Sequence, residues 1–304
     1  MKSLFTIAAA IIMTSAAYAA DSGQTTADIS SSRTQMTTGT PSYTFANDLT
    51  FGTVLLKGGL GDGVRTNFTT WNPNLTGHIT HDSAISLNSP FTWATDQDVR
   101  NTSRAIGRPT LTGTMAMVND SAMTVATSLA IHTPLYDTSY GNTEMGQVWG
   151  IEPGLALNSR LGTTTYHMIG GASFNWDTNA TLNPANMLSY TVKRAPVARA
   201  HAGISQQLDN YTVSATYNIV NGIGVNHIDT NAAGIQQDIN PVDLSSITLG
   251  GSMKITEGTN LTAAVTKGLK TTDGASEFGS SLASFDRAEE MANLAVNVGL
   301  TQTF

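Results

Sequence analysis

Apolar and polar residues alternate singly through most of the chain. Between Ser245 and Ile255, the residues Ile247, Leu249, Gly251, Met253 and Ile255 share one face, and Thr248, Gly250, Ser252 and Lys254 the other. Tyr211, Val213, Ala215, Tyr217 and Ile219 alternate with Thr212, Ser214, Thr216 and Asn218. Met123, Val125, Thr127, Leu129 and Ile131 alternate with small residues and His132, and the last segment sets Leu294, Val296, Val298, Leu300 and Phe304 against Asn293, Asn297, Thr301 and Thr303. A period of two is the mark of a β-strand, and helical spacing fits none of these windows. The same pattern predicts strands over 48–57, 70–80, 83–93, 107–118, 121–133, 148–160, 163–176, 195–206, 210–223, 244–256, 258–269 and 291–304.

The polar faces of these strands carry small neutral residues, with no second set of large side chains to build a sandwich core. One apolar face and one small polar face predict an all-β fold: an antiparallel transmembrane β-barrel of twelve strands, with lipid outside and a polar lumen inside. Closure matters because an open sheet would leave unpaired backbone groups in lipid. The connections alternate as well. Short turns are expected at His81-Asp82, Asn119-Asp120, Leu161-Gly162, Gln207 to Asp209 and Glu257, and long loops over 58–69, 94–106, 134–147, 177–194, 224–243 and 270–290. Barrels of the outer membrane turn tightly in the periplasm and loop widely outside, so both ends of the barrel are expected on the periplasmic side.

Aromatic residues fall into two groups on the expected lipid face. Trp71, Trp93, Trp149 and Trp176 lie at the long-loop ends of their segments, and Tyr166, Tyr211 and Phe304 at the short-turn ends. Two such rings at the membrane interfaces are the usual girdles of a barrel. Prolines remove ladder hydrogen bonds. Pro90, Pro109, Pro153 and Pro196 all lie in the half nearest the long loops, where rims and bulges hold them, with Pro153 the deepest in its segment.

Composition narrows the function classes. The 304 residues include 15 Lys+Arg and 22 Asp+Glu, so charged residues make up 12%, about half the share of a soluble domain. An acidic balance argues against nucleic acid as a partner. The absence of cysteine excludes disulfides and zinc-thiolate sites. Lys2, the apolar run from Leu4 to Met13 and Ala17-Tyr18-Ala19 have the form of a secretory signal peptide over 1–19, cleaved near Ala19. Residues 20–42 are rich in Ser, Thr and Gln without periodicity, so they are expected to form a flexible periplasmic segment or a plug, leaving 43–304 as the barrel.

The final stretch, Asn293-Leu-Ala-Val-Asn-Val-Gly-Leu-Thr-Gln-Thr-Phe304, resembles the terminal strand of Gram-negative outer-membrane proteins. That resemblance implies recognition of the strand and of Phe304 by the barrel-assembly machinery, with outer-membrane lipids and lipopolysaccharide as surroundings. Gln302 departs from it, standing where an aromatic or apolar residue is common. Ser128-Leu-Ala-Ile-His-Thr-Pro-Leu135 resembles a strand-to-loop stretch of twelve-stranded barrels associated with meta-pathway phenol degradation and small-solute passage.

Candidate chemistry lies on the lumen face. His78, His132, His167 and His201 all have lumen parity, whereas His81 falls in a short turn and His227 in a long loop. Outer-membrane phospholipases carry a Ser-His-Asn triad on the lipid side, and no histidine has that parity here, so no base stands beside a nucleophile. His132 near Asp137 is the one pair that resembles the rim pairs of omptin-type proteases, which need more than one pair. No catalytic residue, metal site or cofactor is expected. Glu152 and Arg199 are expected at similar height two strands apart, and with His167, His201 and Lys254 they are the candidates for a lumen constriction that sets selectivity. The blander reading is that these side chains face water in a wide lumen. Gly58-Gly-Leu-Gly-Asp-Gly63 lacks the Lys-Ser/Thr of a phosphate loop and is expected to be an extracellular loop. With the fifth loop counted over 224–242, the long loops carry 13 acidic and 7 basic residues, a mildly negative mouth or simply a solvated surface.

The expected function is a porin-like channel for a small solute, uncharged or weakly apolar. The alternative is a non-conducting surface barrel acting as an adhesin, receptor or structural protein, with an outer-membrane hydrolase third.

Overall fold

A computed structural model describes residues 42–304 apart from 59–60, 97–101, 107–108, 134–137, 141–142, 146–148, 177, 184–187, 194, 231–235, 240–242 and 273–293. In chain order the strands are β1 (Ser42–Gly58), β2 (Gly61–Thr80), β3 (Ser83–Asn88), β4 (Phe91–Asp96), β5 (Thr102–Ile106), β6 (Thr110–Asn119), β7 (Met123–His132), β8 (Thr138–Tyr140), β9 (Thr143–Met145) and β10 (Gly150–Leu161). They continue with β11 (Thr164–Asn175), β12 (Thr178–Asn183), β13 (Leu188–Lys193), β14 (Val197–Leu208), β15 (Tyr211–Gly222), β16 (Asn226–Thr230), β17 (Gln236–Ile239), β18 (Asp243–Thr256), β19 (Thr259–Thr272) and β20 (Leu294–Thr303).

The main sheet runs β1-β20-β19-β18-β15-β14-β11-β10-β7-β6-β3-β2-β4-β5, and pairing of β1 with β2 closes it. Every neighbouring pair is antiparallel. Strands β3 and β4 both pair with β2 and form one stave interrupted at Ser89-Pro90. Strands β5 and β6 lie along another, with Pro109 outside both of them. The result is a closed twelve-stave barrel, and β5 stands at the rim paired only with β4 among the described residues.

All five expected short turns are present, and their chemistry is local. Gly162 (φ 62°) and Asp209 (φ 51°) supply the left-handed residues of two of them. Asp120 Oδ1 accepts hydrogen bonds from the backbone N–H groups of Ala122 (2.8 Å) and Met123 (2.6 Å). In the His81-Asp82 turn, the Asp82 carboxylate accepts from Asn119 Nδ2 (3.0 Å) and lies 2.9 Å from His81 Nδ1.

The long connections differ from expectation. The expected first strand at 48–57 begins at Ser42, and the second, expected at 70–80, begins at Gly61. The stretch 58–69 is therefore a hairpin that continues the two staves past their expected ends, not a loop, and Gly58 and Gly61 pair within it. Other expected loops contain the rim strands β4–β5, β8–β9, β12–β13 and β16–β17. Pairing of β13 with β16 joins two of these hairpins into a four-stranded rim sheet, which makes His227 a strand residue. Clean alternation is lacking in most of these segments. Of the stretch 270–290, residues 273–290 lie outside the described residues, as do 1–41.

Pro90 and Pro109 sit at the two stave interruptions, and Pro196 immediately precedes β14. Pro153 lies inside β10, where the register with β11 passes from Ile151↔Phe174 to Gly154↔Gly171. Pro73, inside β2, faces the Ser89-Pro90 interruption; its carbonyl accepts the Ser89 N–H at 3.4 Å. A residue with no N–H to donate thus stands where the neighbouring ladder is already broken.

Candidate functional site

Exposure follows the alternation, with the usual relation of polarity to burial reversed. The large apolar side chains Leu155, Met168, Val213, Leu249 and Val298 are exposed on the outside, while Thr70, Asn72, Asn74, Asn158, Ser173 and Asn218 are buried on the inside. A water-soluble fold buries the first kind and exposes the second. The seven aromatics of the expected girdles, Trp71, Trp93, Trp149, Trp176, Tyr166, Tyr211 and Phe304, are all exposed on the outer surface. Trp71 stacks on Phe91 with ring centroids 5.1 Å apart, and its indole N–H donates to Asn47 Oδ1.

The inner wall carries a hydrogen-bonded belt. Thr110, His132, Glu152 and Arg199 each stand nine residues from the short-turn end of their strands, at one level on β6, β7, β10 and β14. Thr110 Oγ1 lies 2.9 Å from His132 Nδ1. His132 Nε2 lies 3.4 Å from Glu152 Oε2. Arg199 Nη1 donates to both Glu152 oxygens, at 2.9 and 3.2 Å. Glu152 and Arg199 meet, as parity and distance from the turns predict; His132, expected on the lumen face, stands beside them, and Thr110, which no sequence motif marks, completes the row.

The pair bridges the intervening strand because β11 presents Gly171 beneath it. Gly171 pairs with Arg199 on one side and Gly154 on the other. A Cβ there would stand 3.0 Å from the Pro153 carbonyl oxygen and 3.6 Å from Glu152 Oε1.

Two residues nearer the turn on β14, His201 extends the belt. Its Nδ1 lies 2.7 Å from Asn218 Oδ1. Asn218 Nδ2 donates to Ser246 Oγ and Thr248 Oγ1, both at 3.1 Å, and Thr248 contacts Thr266 at 2.9 Å. His167 lies lower, 3.1 Å from Thr216 Oγ1. Lys254 is not part of this group: it is exposed, three residues before the Glu257 turn, at the other end of the barrel. Its long stem reaches solvent because the strand ends there.

On the opposite wall, β1, β2 and β3 contribute carboxamides and hydroxyls. Asn88 Nδ2 donates to Asn72 Oδ1 at 2.7 Å, and Thr44 Oγ1 lies 3.3 Å from His78 Nε2. Asp48 on β1 shares the inward parity of Thr44, Ala46 and Thr50, so this wall carries one carboxylate among its neutral groups. The arrangement lines the inner wall with hydrogen-bonding groups.

No protein-family model and no curated protein sequence matches the chain. Solved structures do. An outer-membrane channel from Pseudomonas putida F1 superposes with a TM-score of 0.65 at 11% identity, over 88% of this chain and 96% of that one. The fold is that of an outer-membrane β-barrel. The deltaS2S3 mutant of the monoaromatic hydrocarbon channel TodX gives 0.51 at 10% identity, over 87% and 90%. The transport unit of the autotransporter AIDA-I from Escherichia coli gives 0.52 at 12% identity, over 86% and 90%. These neighbours are channels and transport units rather than enzymes.

Proposed function

We propose that this barrel is a passive outer-membrane channel for a small solute that is uncharged or weakly apolar. The observation that carries the reading is the belt: Glu152 and Arg199 neutralise each other on the wall, and the other belt groups among the described residues are hydroxyls, imidazoles and a carboxamide. A wall of this kind passes water and neutral solutes and discriminates weakly between ions. The outer-membrane and hydrocarbon channels among the similar structures support the class of function, and the hydrocarbon channel favours a weakly apolar solute.

The surroundings follow from the same reading. A leader over 1–19 directs export and is removed near Ala19. The exposed aromatics meet the two lipid interfaces, and lipopolysaccharide surrounds the end bearing the rim strands. The terminal strand ending at the exposed Phe304 is the segment offered to the assembly machinery.

Planar-bilayer recording of refolded protein tests the reading, with the chain from residue 20 compared with a chain lacking 20–41. Steady conductance from either form, with weak ion selectivity, is the expected result. Silence from both, with heat-modifiable migration proving that the barrel is folded, overturns it. The second reading, a barrel whose lumen is filled and does not conduct, is favoured by the similarity to an autotransporter transport unit and by how thoroughly the inner wall is buried.

A further inference from the structure

The tryptophan girdle at the long-loop end covers only part of the circumference. Trp71 and Trp93 stand on β2 and β4, and Trp149 and Trp176 flank the β10–β11 hairpin, where the Trp176 N–H donates to the Trp149 carbonyl at 2.9 Å. Strands β14, β15, β18, β19 and β20 contain no tryptophan. On the outer face of that side, Asn221 of β15, Ser245 of β18 and Lys267 of β19 stand near the girdle height instead. Asn221 is ten residues beyond Tyr211, Ser245 eleven before Thr256 and Lys267 eight beyond Thr259. Strands rising ~3.3 Å per residue at ~40° of tilt carry them about 20–28 Å from the short-turn end, the outer edge of the ~25 Å apolar band.

Lys267 is an exposed cation in apolar surroundings. It pairs with Ile247 on one side and Leu294 on the other, both exposed outward, and Val265 and Leu269 are exposed two residues below and above it. It has no ion pair or hydrogen bond among the described residues, and no other described outward side chain of the staves between the girdles carries a charge. Asn221 shares its outer face with Tyr217, and Ser245 shares it with Ile247. A cation facing lipid is tolerated where its four-carbon stem reaches the interface and polar or anionic groups meet it there.

We propose that this arc binds a phosphate of an outer-leaflet lipid, the phosphorylated glycolipid of lipopolysaccharide. The Lys267 ammonium supplies charge and donors, the Asn221 carboxamide and the Ser245 hydroxyl supply further donors, and the apolar residues below them face acyl chains. The phosphate of such a lipid lies where its sugar head meets its chains, which is the height of the arc. A second copy of the chain fits this face less well. No described outward side chain of the staves between the girdles is a carboxylate that would answer Lys267, and Leu269 and Leu294 project beside it. The site rests on the outer-membrane placement of the barrel, not on conduction.

Native mass spectrometry of the chain from residue 20, folded in detergent, tests the site with bis-phosphorylated lipid A and with lipid A stripped of both phosphates. Binding of the phosphorylated form should weaken about fivefold in Lys267→Met, the factor that one basic residue contributes near an anionic membrane surface, and persist in Lys267→Arg. Lys254→Met, at the opposite end of the barrel, should bind as the parent does. The stripped lipid should bind the parent and Lys267→Met equally. Equal binding of phosphorylated lipid A by the parent and Lys267→Met overturns the proposal. A change of oligomeric mass in Lys267→Met without loss of lipid overturns it too, and assigns the face to a second copy. Should Lys267→Met fail to fold, Asn221→Ala combined with Ser245→Ala takes its place, with the same direction expected. A parent that does not insert into lipid vesicles sinks the outer-membrane placement and the site together; a folded, inserted barrel indifferent to the lipid phosphates sinks the site only.

Discussion

Arg199 Nη1 donates to both carboxylate oxygens of Glu152, at 2.9 and 3.2 Å, across a strand that offers only Gly171 between them. Both side chains are largely shielded from solvent, so removing either partner strands a poorly hydrated charge, at a cost of about 3–5 kcal/mol. The two single changes should push ion selectivity in opposite directions. Glu152→Gln leaves Arg199 and favours anions; Arg199→Gln leaves Glu152 and favours cations. The double variant should return near the parent. Reversal potentials in a KCl gradient read this directly, and a shift of the same sign in both singles would contradict the assigned pair.

Gly171 is the second half of that arrangement. Gly171→Val places a branched side chain against the Pro153 carbonyl and the Glu152 carboxylate, and overpacking of this kind costs about 1–3 kcal/mol. The neighbouring Gly170 points outward, where a Cβ would meet nothing closer than the Arg199 carbonyl oxygen at 3.8 Å. Gly170→Ala should therefore be tolerated. Denaturant midpoints in detergent separate the two variants, and equal destabilisation would mean that the notch is not what holds the pair.

The staves were legible in the sequence because lipid enforces a strict period of two. Leu249, Val213 and Val298 face outward as their parity requires, and the turns at His81-Asp82 and Leu161-Gly162 fall where the alternation stops. The meeting of Glu152 and Arg199 was legible from parity and from equal distances to the turns. Three things were not. The rim strands carry no clean alternation. The break at Ser89-Pro90 is visible only against Pro73 on the partner strand, since a ladder gap belongs to two strands. Gly171 reads as one small residue among many until register sets it between two charged side chains.

Register also fixes close packing at Gly203. A Cβ there would overlap the His167 ring and stand 2.5 Å from the Ala215 carbonyl oxygen. Gly203→Ala should drive His167 away from Thr216 and lower stability by about 1–3 kcal/mol. Adding Thr216→Ala should cost little more, because the hydrogen bond it removes is already lost. A double-mutant cycle on unfolding free energies checks this; full additivity would show that the two sites act independently.

The Asp82 carboxyl lies outside the membrane-spanning strands and titrates below the ordinary carboxylate range. The Asn119 side-chain amide donates to it first, and His81 second. A carboxyl whose folded value is depressed contributes above its unfolded value and loses that contribution as pH falls through the folded one. The turn contact should therefore persist at neutral pH and through the onset of ordinary carboxylate titration, then release at lower pH. Asn119→Ala should move the midpoint back up toward the ordinary value by removing the larger cause. NMR titration of the Asp82 carboxyl in micelles measures both midpoints. A midpoint that stays put in Asn119→Ala would assign the effect to His81 instead, in which case His81→Ala must shift it.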